Sequence, residues 1–284
     1  MGKYICNGFP LIFIPPSHPL THGMLKRNIL RRSIFLLSLV SHAYGQQPDS
    51  TSKNIGNSYL ASYWTNGVGL VSSPFRWKTS DWLHAGGAVA ITGLVITMDE
   101  AVNVPFSAWN SNGGGEAFGE VGNVLGGPAV QFSLSGAAIG IGAISNNKKL
   151  THFGLDNLQA QAYSAGFAVI FKELFHRARP NTGEGSFAFY GPLHGKENKS
   201  FYSGHTTLAF TTATMAYLHS GKKWWVGAIS YSLATYVGLS RMQMQEHWAS
   251  DVLMGGIMGT VIANYVYKQQ EKRRKVRKQL KPLP

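Results

Sequence analysis

The chain has 284 residues, one cysteine and a formal net charge of +13 at pH 7. That length suffices for one domain with a sizeable core, and no break in composition indicates two. The positive charge lies at the ends, because residues 268–284 carry eight Lys or Arg against one Glu, and residues 1–45 carry five with no acid. A nucleic-acid-binding core needs its cations on the fold itself, so this distribution excludes nucleic acid as a partner of the core.

The amino-terminal region is predicted to be an upstream extension followed by a signal peptide. Four Lys or Arg residues between 26 and 32 precede the apolar residues 34–40 and a small-residue site that ends at Gly45. We expect translation to begin at Met24 and cleavage to follow Gly45, with an uncleaved amino-terminal anchor as the alternative. Cys6 precedes this site, so the mature chain would contain no disulfide and no thiolate metal site.

Beyond the signal, the sequence predicts an all-α fold. Residues 46–80 are rich in Ser, Thr, Asn and Gly and are predicted to be a polar, mobile lead-in. Residues 81–267 form the predicted core domain, a helical bundle of about six core helices, and residues 268–284 form a basic tail. The helices are predicted over residues 82–98, 128–145, 155–176, 205–219, 223–240 and 247–268, with a glycine-rich loop from Asn110 to Gly127.

Two properties of these helices favour opposite environments. Most uninterrupted apolar stretches are shorter than the roughly 20 residues that a membrane-spanning helix needs, and the mean hydropathy of −0.07 is low for a six-span protein. However, the basic residues between helices lie at the ends opposite the motifs described below, as a positive-inside topology requires. They are Arg76, Lys78, Lys148, Lys149, Lys222 and Lys223. The sequence favours a periplasmic or secreted bundle against a membrane, and an integral inner-membrane protein whose site faces the periplasm stays open.

The most informative stretch runs from Ser240 to Asp251. In a helical conformation His247 and Asp251 share one face, so the carboxylate can hold one imidazole nitrogen and leave the other free. Arg241 precedes the histidine and supplies a planar guanidinium that can hold an anion in front of the ring. Taken alone, the stretch is also compatible with an ordinary solvated salt link.

Two further stretches place polar groups at helix ends. Lys172 and Arg179 frame the exit of an apolar helix that a proline terminates. Ser203 and Gly204 open the next helix, where free backbone N–H groups and the helix dipole favour an anion, and His205 lies in its first turn. Together with the first stretch, these groups predict an active site at one end of the bundle that holds a phosphate between a nucleophile and an acid.

The three stretches resemble the signature of the type 2 phosphatidic acid phosphatase (PAP2) superfamily, which includes class A acid phosphatases and vanadium haloperoxidases. That signature is a Lys, six residues and Arg-Pro; then Pro-Ser-Gly-His; then Ser-Arg, five residues, His, three residues and Asp. The matching residues are Lys172 with Arg179-Pro180, Ser203-Gly204-His205, and Ser240-Arg241 with His247 and Asp251. The resemblance covers roughly residues 80–267. Tyr202 departs from the pattern, because it stands where the family has a proline that shapes the turn.

The resemblance implies a role for each matched residue. His247 would attack phosphorus to give a phosphohistidine that water resolves, and Asp251 would orient the ring. His205 would protonate the leaving group as a general acid. The implied phosphate-binding residues are Lys172, Arg179, Ser203, Gly204 and Arg241. No metal and no cofactor is implied.

The resemblance also implies a phosphatase of the cell envelope, acting on a phosphate monoester or diphosphate carried by a lipid. Three alternatives stay open: an acid phosphatase acting on small soluble esters, a vanadium-dependent haloperoxidase, and a non-catalytic envelope protein that binds anionic lipid. The basic tail is predicted to contact an anionic membrane surface, since clustered Lys and Arg are attracted to such a surface.

Residues near the motifs carry weaker expectations. His176 and Arg177 lie within the first motif and are predicted only to line the site. Glu246 flanks the predicted nucleophile and is equally compatible with the surface. His219 has no partner pattern and is predicted to be structural or exposed. The loop over residues 181–200 is predicted to frame the substrate entrance.

Overall fold

Helices make up nearly all of the regular structure. The computed structural model describes residues 55–113, 115–192 and 199–279. The eight α-helices of this part of the chain are α1 Ile55–Val71, α2 Thr79–Ser111, α3 Glu116–Gly126, α4 Pro128–Ile144, α5 Lys148–Phe175, α6 Gly204–His219, α7 Trp224–Gln243 and α8 Ala249–Gln279. In the same residues no strand forms, and one isolated bridge pairs Arg177 with Phe189. The predicted all-α class is confirmed, whereas the predicted signal peptide lies outside the described residues.

The six predicted helices are present, and two of them are much longer than predicted. α2 runs to Ser111 and α8 to Gln279. The prediction was too short because it ended each helix where the apolar residues ended. Lys, Arg, Glu and Gln dominate residues 268–279 and are strong helix formers. The basic tail is therefore continuous with α8 as far as Gln279.

The prediction of a mobile lead-in is wrong over Ile55–Val71, which forms α1. Its polar side chains pair with α5 and α8 inside the bundle. Asn66 Nδ2 donates to Gln159 Oε1 at 3.3 Å, and Gln270 Nε2 donates to Ser62 Oγ at 2.9 Å. A polar composition is typical of a loop, but here the polar side chains are satisfied by buried hydrogen bonds within the bundle.

The predicted glycine-rich loop is also wrong, because Glu116–Gly126 forms α3. The glycines that pack on or near α7 recur every three or four residues, and they are Gly115, Gly119, Gly122 and Gly126. A Cβ added at Gly122 would lie 2.3 Å from Cβ of Ser240. Small residues at this spacing let two helices approach closely, so the glycines form a packing face of α3.

The centre of the bundle is α6, which packs against α5, α7 and α8. Its contact with α8 is close, since a Cβ added at Gly259 would lie 2.3 Å from the carbonyl oxygen of Thr207. Thr207 and Thr211 are both fully buried in this contact. The packing fixes the start of α6 against the start of α8, where the second and third motifs lie.

Within the described residues, two helices, α2 and α8, are long and apolar enough to cross a membrane, and α3 with α4, bent by 47°, would add a third span if they act as one. α2 turns its apolar side chains outward, because Leu83, Val89 and Leu94 are 71%, 63% and 62% exposed. An apolar surface of this extent marks contact with lipid or with another protein.

Candidate active site

His247 and Asp251 are adjacent, but they do not share a helix face as predicted. α8 begins at Ala249, so His247 lies in the preceding loop. The backbone N–H of Trp248 donates to Asp251 Oδ2 at 3.0 Å. This is one of the two bonds of a capping box, in which the side chain of the third helical residue accepts from the backbone N–H of the N-cap residue. His247 Nδ1 lies 3.6 Å from the same oxygen. The cap of α8, and not helical spacing, brings the pair together.

Ser200 connects the two side chains. Its Oγ donates to Asp251 Oδ2 and lies 3.4 Å from His247 Nδ1. These contacts are all on the Nδ1 side of the imidazole, which leaves Nε2 for a substrate.

The environment of His247 keeps its ring neutral. Burial lowers the pKa of His247 to about 3, with Lys172 and Arg241 acting in the same direction and Asp251 opposing them. The side chain is 2% exposed. A neutral imidazole retains the lone pair that nucleophilic attack requires, so the ring is in its reactive form at pH 7.

Arg177 is a residue of the site that sequence reasoning placed only at its margin. Its Nη1 donates to Asp251 Oδ1 at 2.6 Å and its Nη2 to Asp99 Oδ2 at 2.7 Å. All three side chains are 0% exposed. The carbonyl oxygen of Ser186 accepts from Nε and Nη2 at 2.9 and 2.7 Å. The planar guanidinium therefore holds the carboxylate that contacts His247 in one orientation.

Asp99 attaches α2 to the start of α8. Its Oδ1 accepts from the backbone N–H of Ser250 at 2.9 Å, a free donor in the first turn of α8. No motif includes Asp99, but the adjacent acids Asp99 and Glu100 inside the apolar helix α2 were a signal that sequence reasoning passed over, since such residues are buried only when paired.

The charges of the three predicted cations influence one another, and two of the cations, Arg179 and Arg241, contact Glu246. Arg179 Nη1 donates to Glu246 Oε2, and Arg241 Nη2 lies 3.5 Å from the same oxygen. Burial, followed by the charge of Arg179, lowers the pKa of Lys172 to about 8. Nε of Arg179 and of Arg241 is buried without a hydrogen-bond partner in the part of the chain described. The cations thus keep donors available for an anion, and Glu246 belongs to the site.

Asn123 on α3 positions Arg241. Arg241 Nη1 donates to Asn123 Oδ1 at 2.6 Å. Sequence reasoning missed Asn123 because it treated residues 110–127 as a loop. The glycine face described above brings α3 close enough to α7 for this bond.

The second motif opens α6 as predicted. α6 starts at Gly204, and Ser203 makes no side-chain cap to its backbone. Ser203 Oγ instead accepts from Thr206 Oγ1 at 2.9 Å, and the Ser203 N–H donates to the carbonyl oxygen of Asp251 at 3.1 Å. The first-turn N–H groups of α6 are therefore left for an anion.

His205 is neutral in the absence of an anion. Burial, and then the charges of Arg241, Lys172 and Arg179, lower the pKa of His205 to about 4. A phosphate bound among these cations would add negative charge beside the ring and raise its pKa again. Binding of the substrate therefore favours the protonated form of His205, which a general acid needs.

Tyr202, which replaces the family proline, is fully buried. Its ring packs against Phe171 of α5 with centroids 5.3 Å apart. The turn before α6 is therefore held by aromatic packing.

Part of the loop over residues 181–200 contacts the buried network. Phe189 lies beneath the guanidinium of Arg177, with 5.0 Å between Arg177 Cζ and the ring centroid. Phe187 is 65% exposed. The role of this loop at the substrate entrance stays a prediction.

His219 lies at the other end of α6 and does have a partner. Its Nε2 is 3.0 Å from Asp156 Oδ2, which also accepts from Arg274 Nη1 at 2.8 Å. This buried pair explains the position of His219 without a catalytic role.

Comparison with known proteins agrees with the motifs. Residues 155–275 match the model of the PAP2 superfamily, so the resemblance to that family is confirmed. The matched region contains all eight predicted site residues. Asp99 and Asn123 lie outside it.

Individual relatives cover the chain unequally. The chain is 38% identical over 88 residues to a lipid A 1-phosphatase of Porphyromonas gingivalis, which is 31% of this chain and 20% of that protein. The chain thus matches about a fifth of the length of this curated relative. A crystal structure of a transmembrane PAP2 type phosphatidylglycerolphosphate phosphatase from Bacillus subtilis covers 76% of this chain and 95% of its own, at 22% identity and a TM-score of 0.42. The structure of LpxE from Aquifex aeolicus covers 62% and 93%, at 21% identity and a TM-score of 0.36.

Proposed function

We propose that this protein is a membrane phosphatase that hydrolyses a phosphate monoester or diphosphate carried by a lipid, through a phosphohistidine on His247. The observation that carries the proposal is the neutral, buried imidazole of His247, held on its Nδ1 side by Ser200 and Asp251. It lies within the electrostatic influence of Lys172 and Arg241. A nucleophile without charge beside a set of cations suits attack on an anionic phosphorus centre.

Each step uses groups of this chain. The phosphate is bound by Lys172, Arg179, Ser203, Gly204 and Arg241. His247 Nε2 attacks phosphorus, and the bond from phosphorus to the leaving oxygen breaks while His205 gives that oxygen a proton, which His205 takes from the bound phosphate. Water then attacks the phosphohistidine, His205 takes a proton from the water, and inorganic phosphate leaves. The cations stabilise the charge on the equatorial oxygens in both steps.

Two observations support a lipid substrate and a membrane location over a secreted bundle. The outward apolar face of α2 and the length of α8 suit a bilayer. The curated relative carries the name lipid A 1-phosphatase. A soluble bundle in water would leave the exposed side chains of α2 uncovered.

The experiment is a phosphate-release assay on the full chain purified in detergent, with a lipid phosphate monoester, a lipid diphosphate and p-nitrophenyl phosphate as substrates. His247→Gln is expected to lower turnover at least about 10³-fold while the thermal unfolding temperature stays close to that of the parent. Gln suits this position better than Ala, because His247 is buried and Ala would leave a cavity. Rapid acid-free quenching should trap phosphate on the parent protein and not on the variant.

Matched reactions separate the alternatives. Turnover is expected to survive EDTA and to fall with vanadate, because the bound anion is held by protein cations. Halide oxidation by the vanadate-loaded protein without phosphate release would favour the haloperoxidase. Turnover of p-nitrophenyl phosphate with none of the lipid substrates would favour the acid phosphatase, and lipid binding without turnover of any substrate would favour a binding protein.

A further inference from the structure

A polar cavity lies far from the active site. It has a volume of about 430 Å³ and opens between α1, the turn that follows it, and α8. Its lining includes Thr65, Gly69, Arg76, Trp77, Tyr265 and Arg273. Arg273 follows Asp251 by 22 residues on the single helix α8, which is about 33 Å at the α-helical rise. The two sites are thus separated by about the thickness of a bilayer hydrocarbon core.

Two arginines give this cavity its charge. Arg76 Nη2 donates to the carbonyl oxygen of Gly69 at 2.9 Å, and Arg273 Nη2 donates to Thr65 Oγ1. Across residues 55–113, 115–192 and 199–279, neither guanidinium forms an ion pair with a carboxylate. The next residue, Arg274, differs because it is paired with Asp156. No carboxylate of the described residues therefore compensates the charges of Arg76 and Arg273 beside this cavity.

Gly69 allows these groups to gather. A Cβ at this position would lie 2.3 Å from Tyr265 Oη and 3.9 Å from Arg76 Nη2. The missing side chain thus gives room to a hydroxyl next to a guanidinium. A hydroxyl and two guanidinium groups are donors that suit the oxygens of a phosphate.

Aromatic side chains line the cavity or lie next to its lining residues. Phe75, adjacent to Arg76, is 91% exposed, and Trp82 is 55% exposed. Trp77, which lines the cavity, packs edge-on against Trp82 with centroids 4.9 Å apart. Aromatic and cationic side chains occur together where a protein crosses the headgroup level of a membrane. The surroundings therefore favour an amphipathic ligand over a free ion.

We propose that this cavity binds the phosphate-bearing headgroup of an anionic membrane lipid, in the leaflet opposite the active site. Arg76 and Arg273 hold the phosphate oxygens, Tyr265 Oη donates a further hydrogen bond, and the aromatic residues contact the glycerol and upper acyl region. None of these residues belongs to the phosphatase site, so the inference extends beyond the proposed reaction. Inorganic phosphate offers the same oxygens without the apolar part, and the test separates the two.

The experiment measures binding of phosphatidylglycerol, phosphatidylcholine and inorganic phosphate to the full chain in detergent by native mass spectrometry. Phosphatidylglycerol is a phosphodiester and lacks the terminal phosphate that the proposed reaction removes. The test variant is Arg76→Gln/Arg273→Gln, and the matched control is Lys272→Gln/Lys275→Gln, which removes the same charge from exposed positions outside the cavity. We expect about fivefold weaker phosphatidylglycerol binding per cavity arginine, about 25-fold together, and less than about twofold in the control.

Several results would overturn the proposal. Equal losses in the two double variants would show a general effect of surface charge. Inorganic phosphate that binds as tightly as the lipid, and is lost in the same variant, would assign a soluble anion. Because Arg76 is exposed and Arg273 is half-buried, we expect the variants to fold, and the single variant Arg76→Gln gives an independent fivefold test. Turnover of p-nitrophenyl phosphate should be unchanged in all of them, so failure here leaves the proposed reaction intact.

Discussion

Arg177 is a buried cation that positions the reactive histidine indirectly, through the side chain of Asp251. It bonds to Asp251 and Asp99, and Asp251 in turn contacts His247. Lys at this position would keep the charge but lacks the planar fork that spans two carboxylates. We expect Arg177→Lys to lower kcat about 10²-fold while KM changes less than about threefold, because Arg177 orients the nucleophile and does not bind phosphate.

The readout for Arg177 is steady-state kinetics on p-nitrophenyl phosphate, together with thermal unfolding. Asp99→Asn is the control, since it keeps the shape of the side chain and removes one of the two charges, and we expect a smaller loss of kcat. A large rise in KM with unchanged kcat in Arg177→Lys would mean that the arginine binds substrate directly.

The pH dependence of the reaction follows from the low pKa of His205. Because that pKa is about 4 in the free protein, the ring is neutral above this pH, and the proton for the leaving group must arrive with the phosphate. Phosphate monoesters keep one proton below their second pKa of about 6. We expect kcat/KM for an alkyl phosphate to be level between about pH 4 and 6 and to fall about tenfold per unit above.

The measurement is kcat/KM of an alkyl phosphate from pH 3 to 9. His247, with a pKa of about 3, should limit the rate only at the acid extreme, and loss of charge from Lys172 should add a further fall above about pH 8. His205→Asn should affect an aryl ester much less than the alkyl ester, because an aryl oxygen leaves without protonation. A level profile up to pH 8 would show that His205 is already protonated before the substrate binds.

Sequence reasoning could select the residues of the three motifs because each motif is local and has fixed spacing. It could not predict the partners of Asp99 or Asn123, since each bonds to a motif residue far along the chain, 78 residues from Arg177 and 118 residues from Arg241 respectively. Such pairs depend on how helices pack, which the local pattern does not contain.

At the level of elements, α3 depends on its glycine face. A Cβ at Gly122 would meet Ser240 Oγ at 2.2 Å, whereas a Cβ at Gly140 of α4 has nothing within 4 Å. We expect Gly122→Ala to destabilise the fold by about 1–3 kcal/mol through overpacking, and to lower activity by moving Asn123 away from Arg241. Gly140→Ala should be neutral or stabilising by up to about 1 kcal/mol, since Ala favours a helix.

Thermal unfolding and turnover of the two alanine variants test this point. Equal stability of Gly122→Ala and Gly140→Ala would show that α3 does not pack as described. Loss of activity in Gly140→Ala would also contradict it.

The helices that were predicted and those that were missed differ in composition. The six helices were identified from the sequence because each contains a long run of apolar residues. α1 and α3 were missed for other reasons, since α1 buries polar side chains such as Ser62 and Asn66, and the buried residues of the short helix α3 are glycines. Composition alone assigns such segments to loops, because the same residues favour turns when nothing packs against them.

At the scale of the whole bundle, successive helices run in opposite directions between two polar ends. α6 starts at Gly204, next to His205 of the active site, and α7 returns to Arg241, with the Lys222–Lys223 turn between the two helices at the far end. The membrane proposal requires these ends to face different compartments. We expect a cysteine placed at Gly183, beside the site, to label from the periplasmic side and one at Lys222 to label from the cytoplasmic side.

The test uses an impermeant maleimide on intact cells and on inverted vesicles, in a Cys6→Ser background that removes the native thiol. Labelling of both positions from the same side would contradict a membrane-spanning arrangement and favour the secreted bundle. Cells opened with detergent give the control, because both positions should then react.

α8 spans the molecule as one helix of 31 residues without proline, about 46 Å long at the α-helical rise. Both of its ends are attached, at Ser250 to Asp99 and near its far end from Gln270 to Ser62. Its length is therefore fixed, and a host bilayer of different thickness must be accommodated by tilting the whole bundle or by deforming the lipid. The proposed membrane location therefore predicts that membrane thickness influences where in a cell this protein resides.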